Sequence, residues 1–136
     1  TQENIDYLND LEARQAQEYS SYKTKTEAEI DDESRKLDAA EAKLSQIRED
    51  FALCAQDLEY GEGCSQEKLD YYSDLITSLE QTIAESSELI ARLRNDLNQA
   101  NAERQEQYKY NIQCIAANTE HLEYVDSLIK DIPKES

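Results

Sequence analysis

The sequence has no tryptophan and no methionine, a single phenylalanine, a single proline and only two glycines among its 136 residues. Without large apolar side chains, a chain this short cannot fill a thick globular interior, since small domains already bury a modest share of their surface. Without glycine and proline it cannot make the many turns that a sandwich, a barrel or an α/β fold requires. Basic residues are scarce as well: 14 Lys and Arg stand against 31 Asp and Glu, a formal net charge of -17. Phosphate backbones and anionic bilayers repel such a surface, which sets nucleic acid and membrane aside as partners. No stretch approaches the ~18 consecutive apolar residues of a spanning helix.

What remains is rich in Glu, Gln, Ala, Leu, Lys and Arg, the composition of long helices and coiled coils. Leu37, Ala40, Leu44, Ile47, Phe51, Cys54 and Leu58 alternate three and four apart, an unbroken heptad seam. Upstream, Leu8, Leu11, Tyr19, Tyr22, Thr26 and Ile30 follow a hendecad rhythm, which straightens a supercoil. A second seam runs through Leu69, Tyr72, Ile76, Leu79, Ile83, Ser86, Ile90, Leu93, Leu97 and Ala100. Past Arg104 the apolar residues slip by one position and continue as Tyr108, Ile112, Ile115, Leu122, Val125 and Ile129.

The two glycines, Gly61 and Gly63, lie between the seams. Gly61 can take the left-handed conformation that ends a helix, and Gly63 can complete a reversal. The pattern predicts an all-α fold, a long antiparallel hairpin forming one elongated domain over 1–136: first helix about 4–58, turn about 59–64, second helix about 66–131; the competitor is a continuous rod through 61–63. Residue i of the first helix should face roughly residue 124 minus i of the second. Ser65 is placed to cap the second helix, Pro133 to stop it, and Asn95, Asn98 and Asn101 mark a soft point over 95–101. Tyr71, Leu75 and Leu89 flank the second seam, so its apolar face is wider than a two-stranded coil needs. Hairpins should therefore associate, with themselves or with related helical chains, into three-helix, four-helix or larger bundles.

Cys54 and Cys64 bracket the turn, close enough to form a disulfide in an oxidising compartment; the alternative is two reduced thiols. Cys114 is left over, either for a bond between chains or, as we read it, as a buried free thiol. His121 follows Cys114 by seven residues, two helical turns, too far for proton transfer between them. A zinc site would need three or four His or Cys ligands, and neither their number nor their spacing suits one. An EF-hand starting at Asp57 would put Glu62 where glycine is required and Lys68 where glutamate belongs, so no single calcium pocket is expected. Diffuse calcium binding is a different expectation. Glu27, Glu29, Asp31, Asp32 and Glu33 crowd seven residues without a base among them, and Asp57, Glu59, Glu62 and Glu67 crowd the turn. No cofactor, phosphate loop or catalytic constellation is expected, and the chain reads as a non-enzyme.

A translation product starts with methionine, so a chain starting at Thr1 and containing none points to proteolytic release from a precursor, which would also remove a secretory signal. An acidic, methionine-free chain of long seamed helices, rich in Glu, Gln, Asn and Tyr with few cysteines, resembles the mature trichocyst matrix and granule lattice proteins of ciliates. The likeness is one of composition and helical pattern along the whole chain, and it transfers no individual residue role. It implies a structural, self-assembling component of a crystalline secretory-granule core, located in the granule lumen and secreted, with packing that responds to calcium. The competing reading is a cytoplasmic coiled-coil adaptor or scaffold hairpin with reduced cysteines and no response to calcium.

Overall fold

The computed structural model describes every residue except Glu62 and residues 133–136, so the expectations placed on Glu62 and Pro133 lie outside the described residues. Two helices account for nearly all of the rest: α1, Gln2–Tyr60, and α2, Gln66–Lys130, packed against each other as an all-α hairpin. Among the described residues there is no strand.

Each helix starts where a hydroxyl can replace a missing backbone partner. Thr1 Oγ1 accepts from the Asn4 N–H at 3.3 Å, which carries α1 two residues further back than the apolar pattern suggested. Ser65 Oγ accepts from the Lys68 N–H at 3.2 Å, and Glu67 sits in the favourable first turn of α2. The reversal uses both glycines in the left-handed region, Gly61 at φ 73° and Gly63 at φ 93°, and the Gly61 N–H donates to the Leu58 carbonyl. A Cβ at either glycine would meet open space, so backbone conformation alone makes glycine necessary there. The sulfurs of Cys54 and Cys64 lie at bonding distance, with Cα atoms 5.3 Å apart, and staple α1 to the start of α2. The helix of α2 continues unbroken through the suspected soft point at 95–101.

The chain divides into two compact units, Thr26–Asn95 and Thr1–Lys25 with Asp96–Ser136. In the first, Ile30, Ala40, Leu44, Cys54, Ser86 and Ile90 are buried. Leu37, Ile47, Phe51, Leu58, Leu69, Tyr72, Ile76, Leu79, Ile83 and Leu93 are half-buried along the same seam, as are the flanking Leu75 and Leu89, whereas Tyr71 is exposed. Ser86, the hydroxyl residue of the second seam, donates to Glu33 Oε1 at 2.8 Å. At the rim Arg48 Nη2 donates to Glu80 Oε1 at 2.9 Å, an exposed pair contributing ~0–1 kcal/mol.

In the second unit the seam departs from the expected one. Tyr108, Ile112 and Ile129, which the apolar spacing put on the seam, are exposed, and Asn111 is buried instead. No register slip follows Arg104. Leu97, Arg104, Asn111, Asn118 and Val125, each seven apart, are all buried or half-buried, so the heptad runs straight on with polar residues at three of its positions. The same correction applies to the start of α1. Ile5 is buried and Leu8, Glu12, Gln15 and Tyr19 are half-buried at three-four spacing, so the irregular step expected between Leu11 and Tyr19 is a heptad filled by polar side chains.

Replacing Cys54 and Cys64 together by serine should lower the denaturant midpoint by the equivalent of about 2–3 kcal/mol, the chain-entropy term for a loop this short. Gly61→Ala should cost about 1–2 kcal/mol through its positive φ. Urea titrations followed at 222 nm measure both, and a Gly61→Ala variant as stable as the parent would show that the turn does not need glycine.

Candidate functional site

The one concentration of inward-facing polar chemistry lies in the unit of Thr1–Lys25 and Asp96–Ser136. Arg104 Nη2 donates to Glu12 Oε2, and the two side chains are only 13% and 17% exposed. Asn111, at 2% exposure the most buried of the buried polar residues, donates from Nδ2 to Glu12 Oε1 at 3.2 Å and to Gln15 Oε1 at 2.7 Å. The Glu12 carboxylate is thus held from both sides. Hydrogen bonding from Arg104, more than burial opposes it, keeps its pKa below the ordinary carboxylate value of 4.5, with help from Asn111 and from the guanidinium charge. Arg104 Nη1 is buried with no hydrogen-bond partner among the described residues. The guanidinium carbon lies 5.9 Å from the Tyr108 ring centroid, so an aromatic face offsets part of the lost hydration. One layer further, Tyr19 Oη donates to Asn101 Oδ1 at 3.1 Å, and Asn118 satisfies its amide on the Cys114 carbonyl at 2.8 Å.

The cluster is a set of structural hydrogen bonds around one ion pair. Apart from Arg104 Nη1, its donors and acceptors point at one another across the seam. Its effect is on pairing: sliding α1 by one heptad would separate Glu12 from both Arg104 and Asn111 and bury unpaired polar groups, which costs more than losing a few methylene contacts. Buried polar residues at seam positions set register in coiled coils in this way.

The carboxylates expected to bind calcium diffusely lie mostly on the surface. Glu27, Glu29, Asp31, Asp32, Glu59 and Glu67 are exposed and Asp57 is half-buried. Glu33 turns toward α2 and accepts from Ser86, and it pairs with Lys36 at 3.9 Å, while Asp32 pairs with Arg35 at 3.6 Å. The run is therefore partly neutralised by the two bases that follow it, one turn along the helix. Among the described residues, no group of three or more His, Cys, Asp or Glu side chains is arranged to hold a metal ion. Near the turn, Lys68 lies 6.0 Å from the Tyr72 ring centroid, and Tyr71 and Tyr72 approach at 5.8 Å.

Cys114 is a half-buried free thiol and His121 is exposed. Tyr110, one turn before Cys114, has its phenol raised above the ordinary 10.0 by hydrogen bonding and charge coupling with that thiol. The residues missed by sequence reasoning are Glu12, Gln15 and Asn111. The seven-residue spacing of Arg104, Asn111 and Asn118 is the signal that could have found Asn111, had the heptad been extended through polar residues. No family model, curated protein or solved structure matches the chain.

Glu12→Ala, which leaves the Arg104 charge without its partner, should destabilise the protein by about 3 kcal/mol. Joint replacement of Glu12, Gln15, Arg104 and Asn111 by leucine should be neutral or stabilising, measured by thermal unfolding. The pH dependence has a definite sign. A depressed folded pKa gives stability that is complete above the ordinary value of 4.5 and is lost as pH falls through the folded value. The melting temperature should therefore fall on acidification below pH 4.5 more in the parent than in Glu12→Gln. Identical acid profiles would show that Glu12 carries no part of it.

Proposed function

We propose that the chain is a structural, self-associating protein whose hairpins pack side by side, and that it serves as a calcium-responsive component of a secretory-granule matrix of the trichocyst kind. The observation that carries this reading is the distribution of apolar side chains. Twelve large hydrophobic residues are exposed, among them Tyr7, Tyr60, Tyr71, Tyr108, Tyr110 and Tyr124. Exposed tyrosines supply apolar area with a hydroxyl that tolerates water, which suits a surface that is wet before assembly and covered after it. Glu12, Gln15, Arg104 and Asn111, in contrast, are engaged with each other in the seam through all but Arg104 Nη1, which supports a non-catalytic role.

Calcium enters through bulk electrostatics. Parallel packing of surfaces at a formal charge of -17 is opposed by repulsion, and a divalent cation between exposed carboxylates such as Glu27, Glu29 and Asp31 relieves it. Such binding is weak and spread over many sites. The disulfide-competent Cys54 and Cys64 pair supports an oxidising compartment, hence a secretory lumen rather than a cytoplasmic scaffold.

Static light scattering of the purified chain should show mass rising with concentration, and rising further in millimolar calcium than in the same ionic strength of sodium. Association indifferent to calcium would move the chain to the scaffold class. A monomer under all conditions would end the structural reading.

A further inference from the structure

The heptad count does not stop at the turn. In sevens from Leu44, Phe51 and Leu58 of α1, it crosses the turn at Ser65 and lands on Tyr72, Leu79 and Ser86 of α2. All of these except Ser65 are buried or half-buried. A hairpin does not require this, because a reversal lets the second helix start its seam at any phase. A single helix running through the turn does require it, since a heptad seam survives only where the count is unbroken. The second column of the α1 seam extends in the same way. Ala40, Ile47 and Cys54, carried on by sevens, reach Leu75 and Leu89, the half-buried residues that make the apolar face of α2 wider than a two-stranded coil needs.

Every contact between α1 and α2 has an equivalent between two copies. Laying α1 of one chain antiparallel on α2 of another restores the same apolar layers, the hydrogen bond from Ser86 to Glu33, and the set that joins Glu12 to Arg104 and Asn111. What differs is confined to the turn. There Gly61 and Gly63 would leave φ values of 73° and 93° for helical ones, a change that glycine makes without steric penalty. A Cβ at either position would meet open space, so no neighbouring atom packs on the glycines to keep the turn closed. One bond does keep it closed. Cys54 and Cys64 have Cα atoms 5.3 Å apart, whereas ten residues along a helix span about 15 Å. A disulfide bridges only the first of these distances, so the bonded pair and a helix through the turn exclude each other.

We infer that the seam between α1 and α2 also serves a second copy of the chain, each copy contributing its α1 to the other's α2, and that the Cys54–Cys64 bond is the latch that forbids this exchange. Release takes a dithiol reductant. Its two thiols close into a disulfide, and the two electrons and two protons they give up leave Cys54 and Cys64 as thiols. The reductant meets the half-buried Cys64 first, since Cys54 is buried. With the latch open, the closed and exchanged forms carry the same contacts, and chain concentration decides between them. The inference rests on the fold and not on the granule reading.

The test starts from the full chain with Cys114→Ser, unfolded in urea and refolded at about 1 mM, the order of effective concentration that a short linker supplies. It is refolded with or without a dithiol, diluted and sedimented. Side-by-side association of hairpins reverses on dilution, while an exchanged dimer must unfold to separate and persists. The reduced sample should keep at least tenfold more dimer than the oxidised one. A covalent trap identifies that dimer. With Cys54, Cys64 and Cys114 all replaced by serine, Glu33→Cys and Ser86→Cys replace side chains that meet at 2.8 Å. The new pair should bond within one chain after dilute refolding and between two chains after concentrated refolding. Adding Gly61→Ala and Gly63→Ala should lower the concentration at which interchain bonds prevail at least tenfold, because alanine disfavours positive φ and favours helix. Intrachain bonds alone at both concentrations, in the trap chain and in its alanine variant, would overturn the exchange. Equal amounts of persistent dimer with and without the dithiol would overturn the latch. Side-by-side packing is read separately, by light scattering of the oxidised chain, and stands or falls without either result.

Discussion

The structure depends on register between two helices. A protein with one phenylalanine and no tryptophan or methionine has no centre to collapse around, so its burial comes from length, in small increments at every heptad layer. Heptad layers of similar size are poor at telling one alignment from another, because a slide of seven residues restores most apolar contacts. The glycine turn and the Cys54 and Cys64 staple fix the alignment at the end where α1 becomes α2. Glu12, Gln15, Arg104 and Asn111 fix it in the unit that includes the outer ends of both helices.

The two devices act through different physics. The turn and its staple restrict the unfolded chain, which raises stability, and they hold the alignment of the layers next to them. The polar layer contributes little net stability, since desolvation of the ion pair roughly cancels its attraction, yet misaligned states leave its groups buried and unpaired. The first closes the hairpin, and the second penalises any slide of one helix along the other. A chain whose apolar seam already includes small or weak side chains such as Ala40, Ala100 and Cys114 needs both.

How much of this was legible in the sequence follows from what periodicity can detect. The seams from Leu37 to Leu58 and from Leu69 to Leu97 are apolar at nearly every position, so spacing alone located them, and two glycines one residue apart in a glycine-poor chain located the turn. Periodicity failed where a seam position is polar. Between Leu97 and Val125 the true heptad carries Arg104, Asn111 and Asn118, while Tyr108 and Ile112 lie on a neighbouring stripe, and following the apolar residues meant leaving the seam. The gap between Leu11 and Tyr19 had the same cause. Either irregularity alone looks like a change of repeat. Paired antiparallel they explain each other, since Asn111 falls one residue from the partner expected for Glu12. The partners of the acidic run at 27–33 lie outside its own seven residues: Asp32 pairs with Arg35, and Glu33 with Lys36 and with Ser86 on the other helix.

The apolar residues that drew attention away from the seam have their own logic. Tyr110, Tyr124 and Leu128 are largely exposed and share one face of α2. Solubility would be better served by charge at those positions, as at many other exposed positions of this acidic chain. A periodic exposed stripe also costs something in the unfolded and monomeric states, because it invites wrong pairings. Holding the two stripes of α2 distinct requires one to be polar enough to reject the other's partner. The seam facing α1 carries an arginine and two asparagines, whereas the outer stripe carries none of these and no acidic side chain opposite Glu12. A helix such as α1 that offers Glu12 and Gln15 finds donors for both in Arg104 and Asn111 of the first stripe, which favours that pairing within the hairpin.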